Sequence, residues 1–379
     1  MIHLKVGGST AARTLACPGW IDASKDIPSR PAGQAAVDGS MHHEIQEMCQ
    51  KNGETPDQLV GFTYRENGVD RVFTEDDLDL ANIAFNATNK ILDDLDIDEL
   101  EIEPFLQYVE GEVGGSTDLL GLSDDGKTLL SLDYKFGRNR VTAENNSQLL
   151  FYPMCARRDK KTADMFAKVE KLVLVIIQPQ VKGVVDTWEC TIKDLDAFEL
   201  AFNKALDKVY LPNPPRTPGS HCNWCPAAPF CEAKRQSVHQ ATLLGARSHN
   251  ELSAAAAMVQ EVEQWVKDVH EELYLQLNRG VKVDGWKIVD KQAKRAWVDE
   301  KKARDYLVKN KVDESVFTKT VMLTAPQTLA ALKKAKIDFS LDDFIEQKSS
   351  GTTLAPESDS RDAVIVTDTV GHLAEMMKK

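Results

Sequence analysis

An α/β fold is predicted for this chain of 379 residues, and three observations predict it. Short runs rich in Val, Leu and Ile, bounded by turn residues, are interspersed with stretches whose apolar residues recur every three or four positions. Their order (helix, strands, helix, strand, strand, helix) is that of an α/β sandwich of modest size. The composition, 42% hydrophobic and 28% charged, belongs to a globular chain and excludes general disorder. A chain this long is expected to form two domains, or one with an appendage. The composition changes after Cys231, so we place the boundary near residue 240, dividing residues 1–240 from 241–379.

The elements follow in order. A helix is expected within 31–50, beginning after Asp38-Gly39-Ser40, and a second over Glu75 to Leu95 from its three-and-four apolar spacing. Strands are expected at Leu100 to Val109, Glu112 to Leu122 and Thr128 to Phe136. A helix over Ala143 to Arg158 contains Pro153, which removes a backbone donor and bends it. Lys171 to Gln178 reads as a buried strand, with Asp186 to Thr191 its neighbour. A helix over Leu195 to Val209 runs into the prolines of Pro212 to Pro218, which mark a loop. Beyond the boundary come a long helix, Asn250 to Asn278, closed by Gly280, then a hairpin over Val281 to Val298 carrying Trp286 and Trp297. Helices at Glu300 to Lys309 and Gln327 to Lys336 follow, and a polar tail from Ser349 holds a short apolar run at Ala363 to Val366.

Apolar runs such as Leu172 to Ile177 fall far short of the roughly 20 residues that span a bilayer. Met1 to Gly8 holds no stretch of signal-peptide length, so a cytoplasmic protein with no membrane partner is expected. The net charge of −13 argues against bulk attraction to nucleic acid. Its distribution matters more. From Tyr134 to Lys161, seven basic residues, among them Arg138, Arg140, Arg157 and Arg158, stand against two acidic ones. A polyanion is therefore steered to one region. The acidic segment Asp93 to Glu112 reads as a solvated face.

Asp125-Gly126 is a strong hairpin signal. If it is a two-residue turn, paired residue numbers sum to 251 and Asp118 faces Asp133. Directly opposed residues carry Cβ atoms about 4.5–5.5 Å apart on one face, and the period of two brings Lys135 to that face. Two anions that close repel unless a cation lies between them. Leu130, Leu132, Tyr134 and Phe136 form the other face, the alternation of a half-buried strand. Read alone, an Asp-x-Lys on a strand is a solvated edge; the register argues for more.

Seven cysteines in a cytosolic chain serve as metal ligands or core residues more often than as disulfides. Cys222-x2-Cys225-x5-Cys231 is a compact thiolate set of the kind that holds a soft metal or a cluster. His221 completes a zinc site locally, or Cys17, in Ala16-Cys17-Pro18-Gly19-Trp20, completes an iron–sulfur cluster; both remain open at this stage. Cys49, Cys155 and Cys190 sit in apolar contexts and belong to the core.

With these residues in hand, the chain resembles the RecB-like branch of the PD-(D/E)XK nucleases, especially the iron–sulfur exonucleases typified by the AddB nuclease domain and the CRISPR-associated RecB-like nucleases. Gly39-Ser40-Met41-His42-His43 with Glu47 resembles the branch's Gly-Thr-x-x-His helix motif. Gly115-Ser116-Thr117-Asp118 resembles its Gly-x-x-Asp strand, Asp133-Tyr134-Lys135 its Asp-x-Lys strand, and Gln148 to Tyr152 its Gln-x-x-x-Tyr helix. Cys17 with Cys222, Cys225 and Cys231 resembles the split cluster pattern. The match spans 17–231, with Ser40 in place of the usual Thr and Pro153 directly after Tyr152. It is nearest an uncharacterised family of phage and prophage proteins, in which segments similar to Gly285-Trp286-Lys287-Ile288-Val289 and Leu354-Ala355-Pro356-Glu357-Ser358-Asp359 follow the cysteines.

The resemblance implies a restriction-endonuclease-like core, a central mixed sheet flanked by helices, with an iron–sulfur staple and a mainly helical α+β C-terminal extension. It implies Mg²⁺ or Mn²⁺ held by His43, Asp118, Asp133 and the backbone carbonyl of Tyr134, a ligand set whose oxygens suit Mg²⁺ and whose imidazole tilts toward Mn²⁺. Lys135, Gln148 and Tyr152 are then catalytic with the two acids, the four cysteines hold a [4Fe-4S] cluster (or Zn²⁺), and Arg138, Arg140, Arg157 and Arg158 contact DNA. The expected activity is exonucleolytic cleavage of linear DNA or single-stranded ends in phage recombination or replication, within the host cytoplasm. A recombination or replication protein would dock on the C-terminal domain. Two rival readings are a non-catalytic stapled module that binds DNA or protein, and an endonuclease on the same fold.

Overall fold

The computed structural model describes residues 4–28, 33–66, 68–242 and 249–287. The chain divides into two units, 1–289 and 290–379, and the description concerns the first. The expected helices at 300–309 and 327–336, the second half of the 281–298 hairpin with Trp297, and the run at 363–366 lie outside the described residues.

The centre is a five-stranded mixed sheet, with strands in the spatial order 97–102, 119–123, 128–134, 171–177 and 185–191, flanked by helices on both faces. β3 (Ile97–Ile102), β6 (Leu119–Ser123) and β7 (Thr128–Tyr134) run antiparallel to their neighbours, whereas β7 and β8 (Lys171–Ile177) are parallel. That parallel step needs a crossover, and α5 (Ser147–Ala156) supplies it. β9 (Val185–Thr191) closes the far edge antiparallel to β8. One face packs Leu120, Leu129, Leu172, Leu174 and Ile176 against α1 (Gly8–Ala16), α5 and α6 (Ile192–Val209). The other packs Leu130, Leu132, Tyr134, Val173 and Val175 against α4 (Leu78–Asp94). A third cluster, around Met41, Ile45 and Phe73, ties α3 (Gln34–Asn52) to α4. The short helix α2 (Trp20–Ser24) and two ribbons, β1 (Thr63–Glu66) with β2 (Val69–Val72) and β4 (Phe105–Val109) with β5 (Val113–Ser116), complete this part.

Several expectations are corrected. α3 begins at Gln34, ahead of Gly39-Ser40, because the buried side chains Val37, Met41 and Ile45 extend its inner face backward over that pair. α5 is shorter than expected: Asn146 caps it, accepting from the amides of Gln148 at 2.9 Å and Leu149 at 3.2 Å. β7 is buried on both faces, not one, as its parallel pairing with β8 demands. The hairpin register does sum to 251, through Leu119 with Leu132 to Leu122 with Leu129. The turn that sets it differs from the two-residue form. The Gly126 amide donates to the Ser123 carbonyl at 2.8 Å and only Gly126, at φ 71°, is left-handed. Asp125 secures the corner by accepting from Ser123 Oγ and the Lys127 amide.

Past the sheet, α7 (Glu232–Thr242) packs against α8 (His249–Asn278). The fully buried Lys234 reaches Glu261 across that contact at 2.9 Å. α8 ends ahead of Gly280, at φ 80°. Among the described residues, no helix is long and apolar enough to cross a membrane.

Candidate metal centre and cysteine centre

The hairpin register carries Asp118, the residue before β6, toward Asp133 near the end of β7. Both carboxylates are buried. Asp118 is gripped from two sides: His43 Nδ1 of α3 lies 2.7 Å from Oδ1, and the Tyr134 amide donates to Oδ2 at 2.6 Å. The Tyr134 ring turns to the opposite face, where its hydroxyl lies 2.9 Å from Thr88 Oγ1 of α4. Lys135 Nζ stands 2.6 Å from Asp133 Oδ2. Gln148, placed at the start of α5 by the Asn146 cap, joins that pair: its Nε2 donates to Asp133 Oδ1 at 2.7 Å and its Oε1 accepts from Lys135 at 3.1 Å. Tyr152, one turn along α5, is buried with its ring beside Gly8 of α1, where a Cβ would come within 2.4 Å of it.

His42 and His43 separate cleanly. His42 is a core residue, stacked on Phe136 with ring centroids 4.7 Å apart, and burial keeps its pKa low. His43 is the one aimed at Asp118. The i,i+4 pairing of His43 with Glu47 is not formed; Glu47 binds Lys51.

One member of the cluster was missed in the sequence. Glu103 lies in the acidic run taken as a solvated face, yet its amide donates to the Asp118 carbonyl at 2.9 Å and its carboxyl shares the site. It follows β3 in the left-handed region, at φ 52°, a costly conformation for a residue with a side chain. His43, Glu103 and Asp118 bring their ligand atoms within 4.8 Å of one another. Glu103 is half-buried, and its place at the site is set by the turn from β3 toward β4 rather than by a local sequence signal.

The electrostatics are those of a site short of positive charge. Burial, then the charge of Asp118, push the Glu103 carboxyl up to about 8. Burial also lifts Asp133, which Lys135 offsets only in part while Asp118 adds to the rise. Asp118 stays low because its burial is outweighed by His43, the Tyr134 amide and Lys135. His43 is raised: burial opposes its charge, but Asp118 prevails. Burial drives Tyr152 far up, so its hydroxyl remains a donor. Asp133 Oδ2 is the remaining loose end. It is buried without a well-aligned hydrogen bond, close to Lys135 but off line.

Cys17 and the sequence-distant set of Cys222, Cys225 and Cys231 line one cavity. The Thr217 amide points to Cys17 Sγ at 3.3 Å and the Gly219 amide to Cys222 Sγ at 3.4 Å. His221 Nε2 is occupied by the Thr217 carbonyl at 2.8 Å. Among the described residues, no three of these thiols lie within 4.8 Å of one another. Cys49, Cys155 and Cys190 are buried, as expected.

The four arginines do not share one groove. Arg140 lines an open cleft beside Lys135 and Gln148, and Arg138 donates to Gln180 at 3.1 Å. Arg157 and Arg158 instead turn to α6, where Glu199 binds both and Asp196 binds Arg157. Buried carboxylate claims them before any phosphate does.

The chain belongs to the family described as "Protein of unknown function (DUF2800)", which matches residues 3–362. Among solved structures it is similar to protein VC1899 from Vibrio cholerae, at 14% identity and a TM-score of 0.18, over 52% of this chain and 54% of that one. The chain thus spans about half the length of that protein.

Proposed function

We propose that this protein is a Mg²⁺- or Mn²⁺-dependent deoxyribonuclease of the RecB-like PD-(D/E)XK type, acting as an exonuclease on DNA ends. The observation that carries the reading is the convergence of His43, Glu103 and Asp118 on one point, beside a Lys135 held by Asp133 and Gln148. The donor set fits a hard divalent ion: carboxylate oxygens with one imidazole, an excess of negative charge, and a buried Asp133 oxygen lacking an aligned donor. His43, Glu103, Asp118 and Asp133, with the Tyr134 carbonyl, would hold it. A bound ion of this kind lowers the pKa of a water and neutralises charge on a phosphodiester.

The chain's own residues do the rest. Lys135 is held by a hydrogen bond to Gln148 Oε1 and by the charge of Asp133, so its ammonium meets charge developing on a phosphate oxygen without reorganisation. Gln148 keeps Asp133 and Lys135 in register, and the protonated Tyr152 hydroxyl offers a donor one turn away. Burial of the acids on the sheet excludes water that would screen these charges.

The cysteine centre is read as an iron–sulfur cluster. Tetrahedral zinc with bonds near 2.3 Å would draw its thiolates to about 3.8 Å from one another. A cluster spreads them over different irons, and Cys17, Cys222, Cys225 and Cys231 line one cavity that would house it. Its role is to staple Cys17 to the loop after α6.

The test is metal-dependent digestion of end-labelled linear DNA by wild type and by Lys135→Ala. A loss of about 10³-fold in rate is expected for the variant, with circular single strands left intact by both. Equal digestion by the two proteins removes the mechanism, and cleavage of circles makes the activity endonucleolytic.

A further inference from the structure

Beside the Asp133–Lys135–Gln148 group lies an open cleft of about 910 Å³. Its walls come from α1, with Thr10 and Arg13; Lys135 after β7; the loop carrying Arg140; the start of α5; and the cysteine loop, through Trp224. Trp224 stands between Cys222 and Cys225 and is 77% exposed. A single exposed aromatic needs no explanation on an ordinary surface. This one stands between two cysteines that line the cysteine cavity, and it lines the cleft that holds Lys135 and Gln148.

The charge of the cleft points the same way. Arg13, Lys135 and Arg140 line it against one acid, Glu144, in a chain whose net charge is −13. Arg13 lines the cleft, its guanidinium lies over the Trp20 ring of the cysteine cavity at 4.8 Å, and its Nε is buried without a partner. Basic residues tracking a backbone, together with an open aromatic face, are what a single strand requires. In a duplex the bases are already stacked on each other, and such a ring gains little.

Building on the nuclease reading, we propose that Trp224 is a base-stacking residue and that the cysteine centre thereby holds the substrate strand. An unpaired DNA end lies with a base on Trp224 and its phosphates against Arg13, Arg140 and Lys135. The staple is then part of the substrate site, and specificity for single-stranded ends resides in its loop.

The experiment is anisotropy of labelled strands bound to the full-length protein without divalent ions, so that no hydrolysis intervenes. The probes are oligo-deoxythymidine and an abasic strand with the same number of phosphates. Trp224→Ala should weaken oligo-deoxythymidine about 10-fold and leave the abasic strand unchanged. Trp224→Phe, which keeps a ring, should retain most of the affinity, and Arg13→Gln should weaken both strands. Wild-type binding by Trp224→Ala, equal loss on both strands, or no rescue by Phe overturns the inference. None of these outcomes depends on the Lys135→Ala digestion, so either reading can fail alone.

Discussion

Two buried acidic centres in this fold, at Glu199 and at Asp118, are built on opposite principles. Glu199 on α6 is saturated: Arg157 and Arg158 both bind it, and the Tyr108 hydroxyl donates to it at 2.9 Å. Burial works against its charge, yet these partners hold its carboxyl below the usual range. The Asp118 centre gathers Glu103, Asp118 and Asp133 around one lysine and one histidine, and the shortage lifts Glu103 to about 8. One arrangement spends its charges on staying folded. The other leaves its carboxylates short of positive charge, which is the demand the proposed ion would meet.

The comparison breaks most visibly at Glu103. Glu103→Gln removes a ligand, and since even outer-shell partners are worth about 10–100-fold in metal affinity, a loss of at least that size is expected from calorimetric titration with Mn²⁺. The same group dictates a pH dependence. Its folded pKa lies above its ordinary value of 4.5, so its contribution to stability is fully present below 4.5 and is lost as pH rises through about 8. A divalent ion replaces the proton. The rise in Tm on adding Mg²⁺ should therefore be larger above pH 8 than at pH 6, and in Glu103→Gln that difference should shrink. An ion whose effect on Tm does not vary across this window would place it elsewhere.

Glu199→Gln probes the saturated side. It should cost about 2 kcal/mol of stability, less than a fully buried pair because Arg158 is largely exposed. Chemical denaturation measures this, and kcat on DNA should not change. A loss of activity without a loss of stability would move Glu199 into the working site.

What was legible in the sequence follows the same division. The pairing of Asp118 toward Asp133 survives a wrong turn type because Ser123 and Asp125 rearrange the corner without shifting the pairing of Leu119 to Leu122 with Leu129 to Leu132. Gln148 was named through the resemblance to a Gln-x-x-x-Tyr helix, whereas the expected helix start at Ala143 overlooked the Asn146 cap that sets where α5 begins. Glu103 was hidden because its burial depends on how β3 turns into β4, which no local pattern encodes. Arg157 and Arg158 were misplaced for a similar reason: their partner is 42 and 41 residues away on α6. Charge density along the chain says nothing of which carboxylate arrives first.

The central claim is a divalent ion held at His43 beside Asp118, and electron spin echo modulation of Mn²⁺ bound to the protein tests it most directly. A nitrogen coupling from one histidine is expected in wild type and should vanish in His43→Ala. Bound Mn²⁺ without that coupling, or with a coupling unchanged in His43→Ala, would contradict the account.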